Sequence, residues 1–271
     1  MSKKAKQSKQ KKKVTTSPSQ ADNLFDRIVQ QIIRGQYTEA VASCELLLNY
    51  LPQHAPLRAD VLGQLGVAHG MLQNFPQSYQ AFTEALALDP TNADLWFNRS
   101  RSSAYTIRTG QALRDVEHAI ELNTSDEMIE RLDEALRITR KMVEDSMKLR
   151  GPNFTLDQLI EQEELFQQGL KLMEAGKWTD AGQAFEASIA MGDCLPQPWG
   201  NLGGCLMMQE RYDEAEAALK RALVIDPKYT LAKDNLVVLA HSRQVGPPLG
   251  VKLNEPFKHS KLKQSITFIR E

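Results

Sequence analysis

The stretch WGNLGGCLMMQERYDEAEAALKRALVIDP, residues 199–227, decides the fold. Large apolar and small residues, Trp199, Leu202, Gly203, Tyr212, Ala215, Leu219 and Ala222, recur in it in the two runs of a paired amphipathic helix. Pro227 closes the second run, since proline cannot continue a helix. Two short amphipathic helices joined by a tight turn form a hairpin, and neither can bury its apolar stripe alone.

The hairpin recurs. Gly203, Tyr212 and Ala215 each lie 34 residues after Gly169, Trp178 and Ala181, and the same offset links Leu62 to Trp96, Ser78 to Ala112 and Ala85 to Ala119. Stacking such units builds one continuous core from faces that are unstable singly. Small residues (Gly66, Gly203, Ala85, Ala119, Ala215, Ala222) are expected where helices cross closely. Trp199, Leu202, Tyr212 and Leu219, with Leu62, Leu65, Phe75 and Phe82, are expected to fill the spaces between them. Truncating such a buried aromatic costs about 3–5 kcal/mol.

These residues resemble the tetratricopeptide repeat (TPR) family. Trp199, Leu202-Gly203, Tyr212, Ala215, Ala222 and Pro227 match its motif almost slot for slot, and Leu62, Leu65-Gly66, Phe75, Phe82, Ala85 and Pro90 match nearly as well, with Ser78 in place of the usual alanine. The unit from Trp96 to Thr124 departs, having Arg99-Ser100 for Leu-Gly and Thr124 for the closing proline. Hairpins around Leu24, Gly35, Tyr37, Ala40 and Pro52, and around Leu165, Gly169, Trp178, Ala181 and Phe185, are degenerate copies. The resemblance spans residues 22 to 242 and implies an all-α helical-hairpin solenoid.

Between the hairpins the pattern changes. Thr124 and Glu127 read as a capping box, and Met128, Leu132, Leu136, Met142, Val143 and Met147 continue as one long helix to Gly151-Pro152. Thr155 with Gln158 caps the next. The expected organisation is a disordered lysine-rich tail (1–20), a first array of about three repeats (22–124), a linker helix (125–150), a second array of two repeats plus a capping helix (155–242) and an extended C-terminal tail (243–271). For that last segment, a flexible tail and a strand-like segment docking on the protein or on a partner's sheet are both open.

Hydrophobic residues at 42% and charged residues at 25% are those of a folded soluble chain. The net charge of −1 hides an asymmetry, because Lys3, Lys4, Lys6, Lys9, Lys11, Lys12 and Lys13 stand among the first 20 residues with no acid, leaving −8 on the rest. Three unpatterned cysteines indicate neither a disulfide framework nor a zinc knuckle, and point to a reducing compartment. No stretch approaches about 18 apolar residues, so no membrane association is expected. Localisation reads as cytoplasmic, with the nucleus open if the organism has one.

No catalytic constellation is visible. The five histidines form no metal-ligand spacing, Gly176-Lys177-Trp178 lacks the residues of a phosphate loop, and Gly200, Gly203 and Gly204 follow no strand. The chain reads as a non-enzyme without cofactors or metal. What the resemblance implies instead is a concave groove, lined by the first helix of each hairpin, that holds peptide-like or helical segments of other proteins. By matching slots the groove would present Asp60, Gln64, Asp94, Asn98, Arg101 and Tyr105 in the first array, and Gln167, Gln197, Asn201, Met208 and Asn235 in the second. The lysines and arginine of co-chaperone clamps have no counterparts here, which disfavours a terminal carboxylate as ligand. An interaction scaffold is the leading reading. The alternative is an adaptor for nucleic acid or ribosomes anchored by the lysine tail, whose lack of aromatics limits it to weak phosphate contact. Self-association through an exposed helix stripe is also open.

Overall fold

The computed structural model describes residues 18–248. They form twelve α-helices: α1 (Pro18–Ile33), α2 (Tyr37–Tyr50), α3 (Leu57–Met71), α4 (Phe75–Leu88), α5 (Ala93–Tyr105), α6 (Thr109–Leu122), α7 (Asp126–Lys148), α8 (Leu156–Glu174), α9 (Trp178–Met191), α10 (Pro196–Met208), α11 (Tyr212–Ile225) and α12 (Thr230–Val245). The fold is the all-α repeat architecture read from the sequence. The tails expected over 1–20 and 243–271 lie mostly outside the described residues; within them, Pro18 opens α1 and α12 runs to Val245.

Five hairpins share one turn. Two residues before each second helix stands a left-handed residue, namely Gly35, Gln73, Ile107, Gly176 and Glu210, with φ between 54° and 73°. The N–H of the next residue then reaches back over the turn, as Asn74 to the His69 carbonyl (2.9 Å), Lys177 to Leu172 (2.9 Å) and Arg211 to Leu206 (3.0 Å), satisfying carbonyls that the ending helix leaves open.

One contact sets how closely the helices of a hairpin pack. A Cβ on Gly66 would meet the Phe82 ring at 2.8 Å, one on Gly169 the Phe185 ring at 2.5 Å, and one on Gly203 the Leu219 side chain at 2.7 Å. Phe82, Phe185 and Leu219 are fully buried, so they cannot swing away. At the same slot of the unusual hairpin stands Ser100, and the residue 16 positions on is the smaller Val116. Ser78 is also accommodated, because its hydroxyl donates to the Gly66 carbonyl at 2.7 Å.

The chain divides into two compact units between Asn98 and Arg99, within α5. In the first, Ile28, Cys44, Leu47 and Val61 form one cluster, and Ile32, Leu62, Phe82, Leu86 and Leu95 another. In the second, Phe166, Phe185, Leu202, Met207, Leu219 and Leu239 build a core that Trp199, Tyr212 and Tyr229 complete. A separate cluster joins Leu113 of α6, Val143 of α7 and Leu159 of α8. The start of α7 differs from the expected capping box: Ser125 is the cap and makes no side-chain bond to the helix. Asn123 holds that turn instead, accepting from the Ser125 N–H and donating to its carbonyl. The box expected at Thr155 is present, with Thr155 and Gln158 bonded reciprocally.

The departure at Arg99 has a physical reason. Arg99 stands 34 residues after Leu65, and Asp115 34 after Ala81, so an ion pair replaces an apolar pair at matching slots. The guanidinium donates to both carboxylate oxygens at 2.6 and 2.9 Å, and Asp115 is 0% exposed. Burial pushes the Asp115 carboxyl up, and the Arg99 bonds oppose that push. Arg99→Leu, which strands the carboxylate, is expected to cost about 3–5 kcal/mol in urea denaturation, whereas Arg99→Leu with Asp115→Ala is expected within about 1 kcal/mol of the native chain or above it.

Candidate binding face of the first helices

In α10, Gly203 faces Leu219 of α11. Two residues along a helix turn about 200°, so Asn201 lies on the opposite side. Gln197, Asn201, Gly204 and Met208, at helical spacing, share that stripe. Asn201 is 0% exposed, yet neither its Nδ2 nor its Oδ1 has a hydrogen-bond partner, and Gln197 Oε1 is likewise unsatisfied. A buried amide left in that state costs about 1–3 kcal/mol.

The same slot carries an amide in each neighbouring first helix of this unit: Gln167 lies 34 residues before Asn201 and Asn235 34 after. Asn235 is buried in α12. The Gln167 amide nitrogen donates to the Thr106 carbonyl, so its donor is engaged in joining α8 to the end of α5. Met208 packs, half-buried, on the core beneath. Arg101 and Tyr105 also belong to this unit. Burial lowers the Arg101 guanidinium to about 10 while Tyr105 and Glu134 oppose it, and burial raises the Tyr105 hydroxyl.

In the first unit the slot holds Gln64 in α3 and Asn98 in α5, also 34 apart, the first half-buried and the second buried. Asp60 is exposed, its carboxyl raised by partial desolvation and then by Asp89. Asp94 sits half-buried in the first turn of α5, where its N–H donates to Asn92 Oδ1 at 3.0 Å. The structure therefore brings Gln197, Asn201 and Met208 onto one stripe, and puts Gln64 and Asn98 at matching slots. Lys3 to Lys13 lie outside the described residues.

Glu163 is a second buried ionisable group, after Asp115, that sequence reading missed. It is 4% exposed on α8 and reaches the first turn of α6, accepting from the Thr109 hydroxyl and from the Gly110 N–H at 3.0 Å. Arg108, the cap residue of α6, makes no side-chain bond to the helix's own first turn, so a carboxylate from another helix satisfies these donors and the positive end of the dipole. A Cβ on Gly110 would meet Ile160 at 2.7 Å, so α6 and α8 approach closely enough for that reach. Burial pushes the Glu163 carboxyl up to about 7, with Thr109, Gly110 and Arg150 opposing. Its bonds are structural, and they end on a helix terminus.

Among the described residues no group of three or more His, Cys, Asp or Glu could hold a metal ion, and no helix is long and apolar enough to cross a membrane. Burial pushes the Cys44 and Cys205 thiols up to about 12, far from the thiolate a nucleophile requires.

The tetratricopeptide repeat family model matches residues 166–230, the α8–α11 hairpins whose turns and close glycines are described above. Those residues are a tetratricopeptide-repeat segment. The chain is 22% identical over 200 residues to the human protein O-mannosyl-transferase TMTC1, covering 67% of this chain and 21% of that protein. It is 35% identical over 83 residues to the peroxisomal targeting signal receptor of Yarrowia lipolytica, covering 30% of this chain and 14% of the receptor. The match thus spans about a fifth of the first of these curated relatives and less of the second. Among solved structures, the P58(IPK) TPR domain is similar at 10% identity and a TM-score of 0.45, over 83% of this chain and 68% of that one.

A raised carboxyl favours the fold while it holds its proton. Glu163 loses its proton near pH 4.5 when unfolded and near 7 when folded, so the stability it contributes is full below 4.5 and declines up to 7. The expected loss across that window is of the order of 3 kcal/mol. Urea denaturation from pH 4.5 to 7.5 should show the decline in the native chain and a flatter profile in Glu163→Gln, which keeps an acceptor toward α6.

Proposed function

We propose that the chain is a non-catalytic protein-interaction scaffold that takes peptide-like segments along the amide-bearing stripe of its first helices. One observation carries this: a carboxamide recurs every 34 residues at one slot, Gln64 and Asn98 in one unit and Gln167, Asn201 and Asn235 in the other, and Gln64, Gln167 and Asn201 lie on the side of their helices opposite the packing glycines Gly66, Gly169 and Gly203. An amide offers one donor side and one acceptor side, the complement of a peptide bond. Repeated at a fixed interval, it suits an extended backbone irrespective of that backbone's side chains. Met208, adjoining on α10, offers the adaptable apolar contact that an anchor residue needs.

The stripe bears no nucleophile and base in mutual reach, and the buried carboxylates, Asp115 and Glu163, are engaged by Arg99 and by the first turn of α6. A role in holding rather than converting its ligand follows.

The test is capture from nuclease-treated native lysate on the intact chain, followed by mapping of the retained proteins as synthetic 15-residue peptides. Bound peptides should weaken at least tenfold, about 1.4 kcal/mol, in Asn201→Ala, with the melting temperature unchanged or raised. Equal affinity for the substituted chain would overturn the amide-stripe reading. Loss of all captured protein on nuclease treatment or on removal of residues 1–17 would transfer the function to the lysine tail.

A further inference from the structure

The seam between α6 and α8 is built differently from the hairpins. Inside a hairpin, Phe82, Phe185 or Leu219 is buried against a glycine. The apolar cluster that spans α6, α7 and α8 is small, with Leu113, Val143 and Leu159 as its buried members. Polar side chains supply the other joins: Arg108 to Glu164 at 3.2 Å, Arg114 to Asp157, Glu163 to Thr109 and Gly110, and Gln167 to the Thr106 carbonyl. Both ion pairs have an exposed carboxylate, so water screens them and they hold the seam weakly. Glu163 is buried and Gln167 half-buried, and four residues apart on α8 they face the same way.

We propose that this seam is a proton-controlled latch: while the Glu163 carboxyl holds its proton, α8 is clasped to the first turn of α6 and Gln167 stays bonded to Thr106, and when it ionises the seam opens and releases the Gln167 amide to ligand. This rests on the amide-bearing face proposed above and adds its regulation. Glu163 touches no ligand; it acts through Gln167 as a positioning residue.

The groups around Glu163 leave its charge poorly compensated. From α6, the Thr109 hydroxyl and the Gly110 N–H donate to it, Arg108 and Arg114 are turned to Glu164 and Asp157, and Asp115 is held by Arg99. From the α7 side, Ser146 Oγ lies 3.4 Å from Thr109 Oγ1. Arg150 favours the charge from a distance, but its guanidinium donates to the Ser146 carbonyl (2.7 Å) and to Gln162 Oε1 (2.6 Å) instead. In the loop after α9, Asp193 is paired with Arg221. The carboxylate therefore has, among the described residues, hydrogen bonds but no ion pair at a site 4% exposed to water. Opening the seam hydrates it. The opening is local, because α8 keeps its own hairpin contact between Gly169 and Phe185. A proton lost near pH 4.5 in the open seam and near 7 in the closed one makes the opening constant rise about tenfold per pH unit between those values and level off above them.

Hydrogen exchange by NMR, corrected for its intrinsic pH dependence, is measured on the full chain and on Glu163→Gln at pH 5 and 7.5. The opening constant at the Gly110 amide should rise about fiftyfold in the native chain and less than about threefold in Glu163→Gln. At pH 7.5 it should exceed that of Cys205 to Met207 in α10 at least tenfold, and the Gln167 side-chain amide signal should move toward its free position in the native chain alone. Equal opening at Gly110 and in α10 would mean that the molecule unfolds as a whole, and would overturn the latch. So would a Gly110 amide or a Gln167 signal indifferent to pH, or a pH response that survives in Glu163→Gln. No ligand enters these measurements, so failure of the binding face, seen as peptide affinity indifferent to Asn201→Ala, is distinguished from failure of the latch.

Discussion

The close approach of two helices at a glycine is the constraint on which the rest of the structure depends. Gly66, Gly169 and Gly203 each admit the side chain 16 residues later, Phe82, Phe185 or Leu219, to a distance no Cβ would permit. That contact fixes how deeply the second helix sits against the first, and the depth in turn determines which residues are left to form the opposite stripe. A larger residue at the slot must be matched by a smaller one across from it, as Ser100 is by Val116. The slots are therefore coupled in pairs.

The turns impose a second demand that is conformational. Each hairpin needs a left-handed residue before its second helix, and only Gly35 and Gly176 meet it without steric conflict. Gln73, Glu210 and the β-branched Ile107 adopt it at a cost of about 1 kcal/mol or more each. They persist because the N–H just beyond each of them is bonded back across the turn and because the helices on both sides are locked by packing. Tertiary contact here overrides local preference, which is why the turn slot is hard to recognise by residue type although its position is constant.

The difference between what was and was not legible follows from range. The hairpins could be read because spacing, small residues and aromatic wedges are local signals repeated five times, and the Thr155 capping box because both partners lie within one turn. Thr124 misled for the same reason: its spacing to Glu127 is right, but Asn123 claims the backbone of Ser125 first. Arg99 looked like simple decay of a motif. The signal that could have explained it is Asp115 at the facing slot, visible only when both slots are compared with Leu65 and Ala81 together. Glu163 bonds residues 53 and 54 positions away, and nothing in its neighbourhood marks it. Slot matching placed Asn201 on a stripe, but burial depends on what covers the stripe, which no single helix encodes.

That last point separates a stabilising polar group from a functional one. Ser78, Gln162 and Glu163 are buried polar residues whose bonds are made inside the fold: Ser78 to Gly66, Gln162 to the carbonyls of Ser188 and Gly192, Glu163 to Thr109 and Gly110. Each is satisfied where it stands, and removing it harms the fold. Asn201 is as deeply buried and has none of these bonds. An alanine there would spare the fold an unpaired donor and acceptor, so stability alone favours losing the amide. On the scaffold reading proposed above, what favours keeping it is a partner that supplies the missing bonds. The amides at the same slot in the neighbouring first helices would then give that partner the direction of the stripe, across the helices rather than along any one of them.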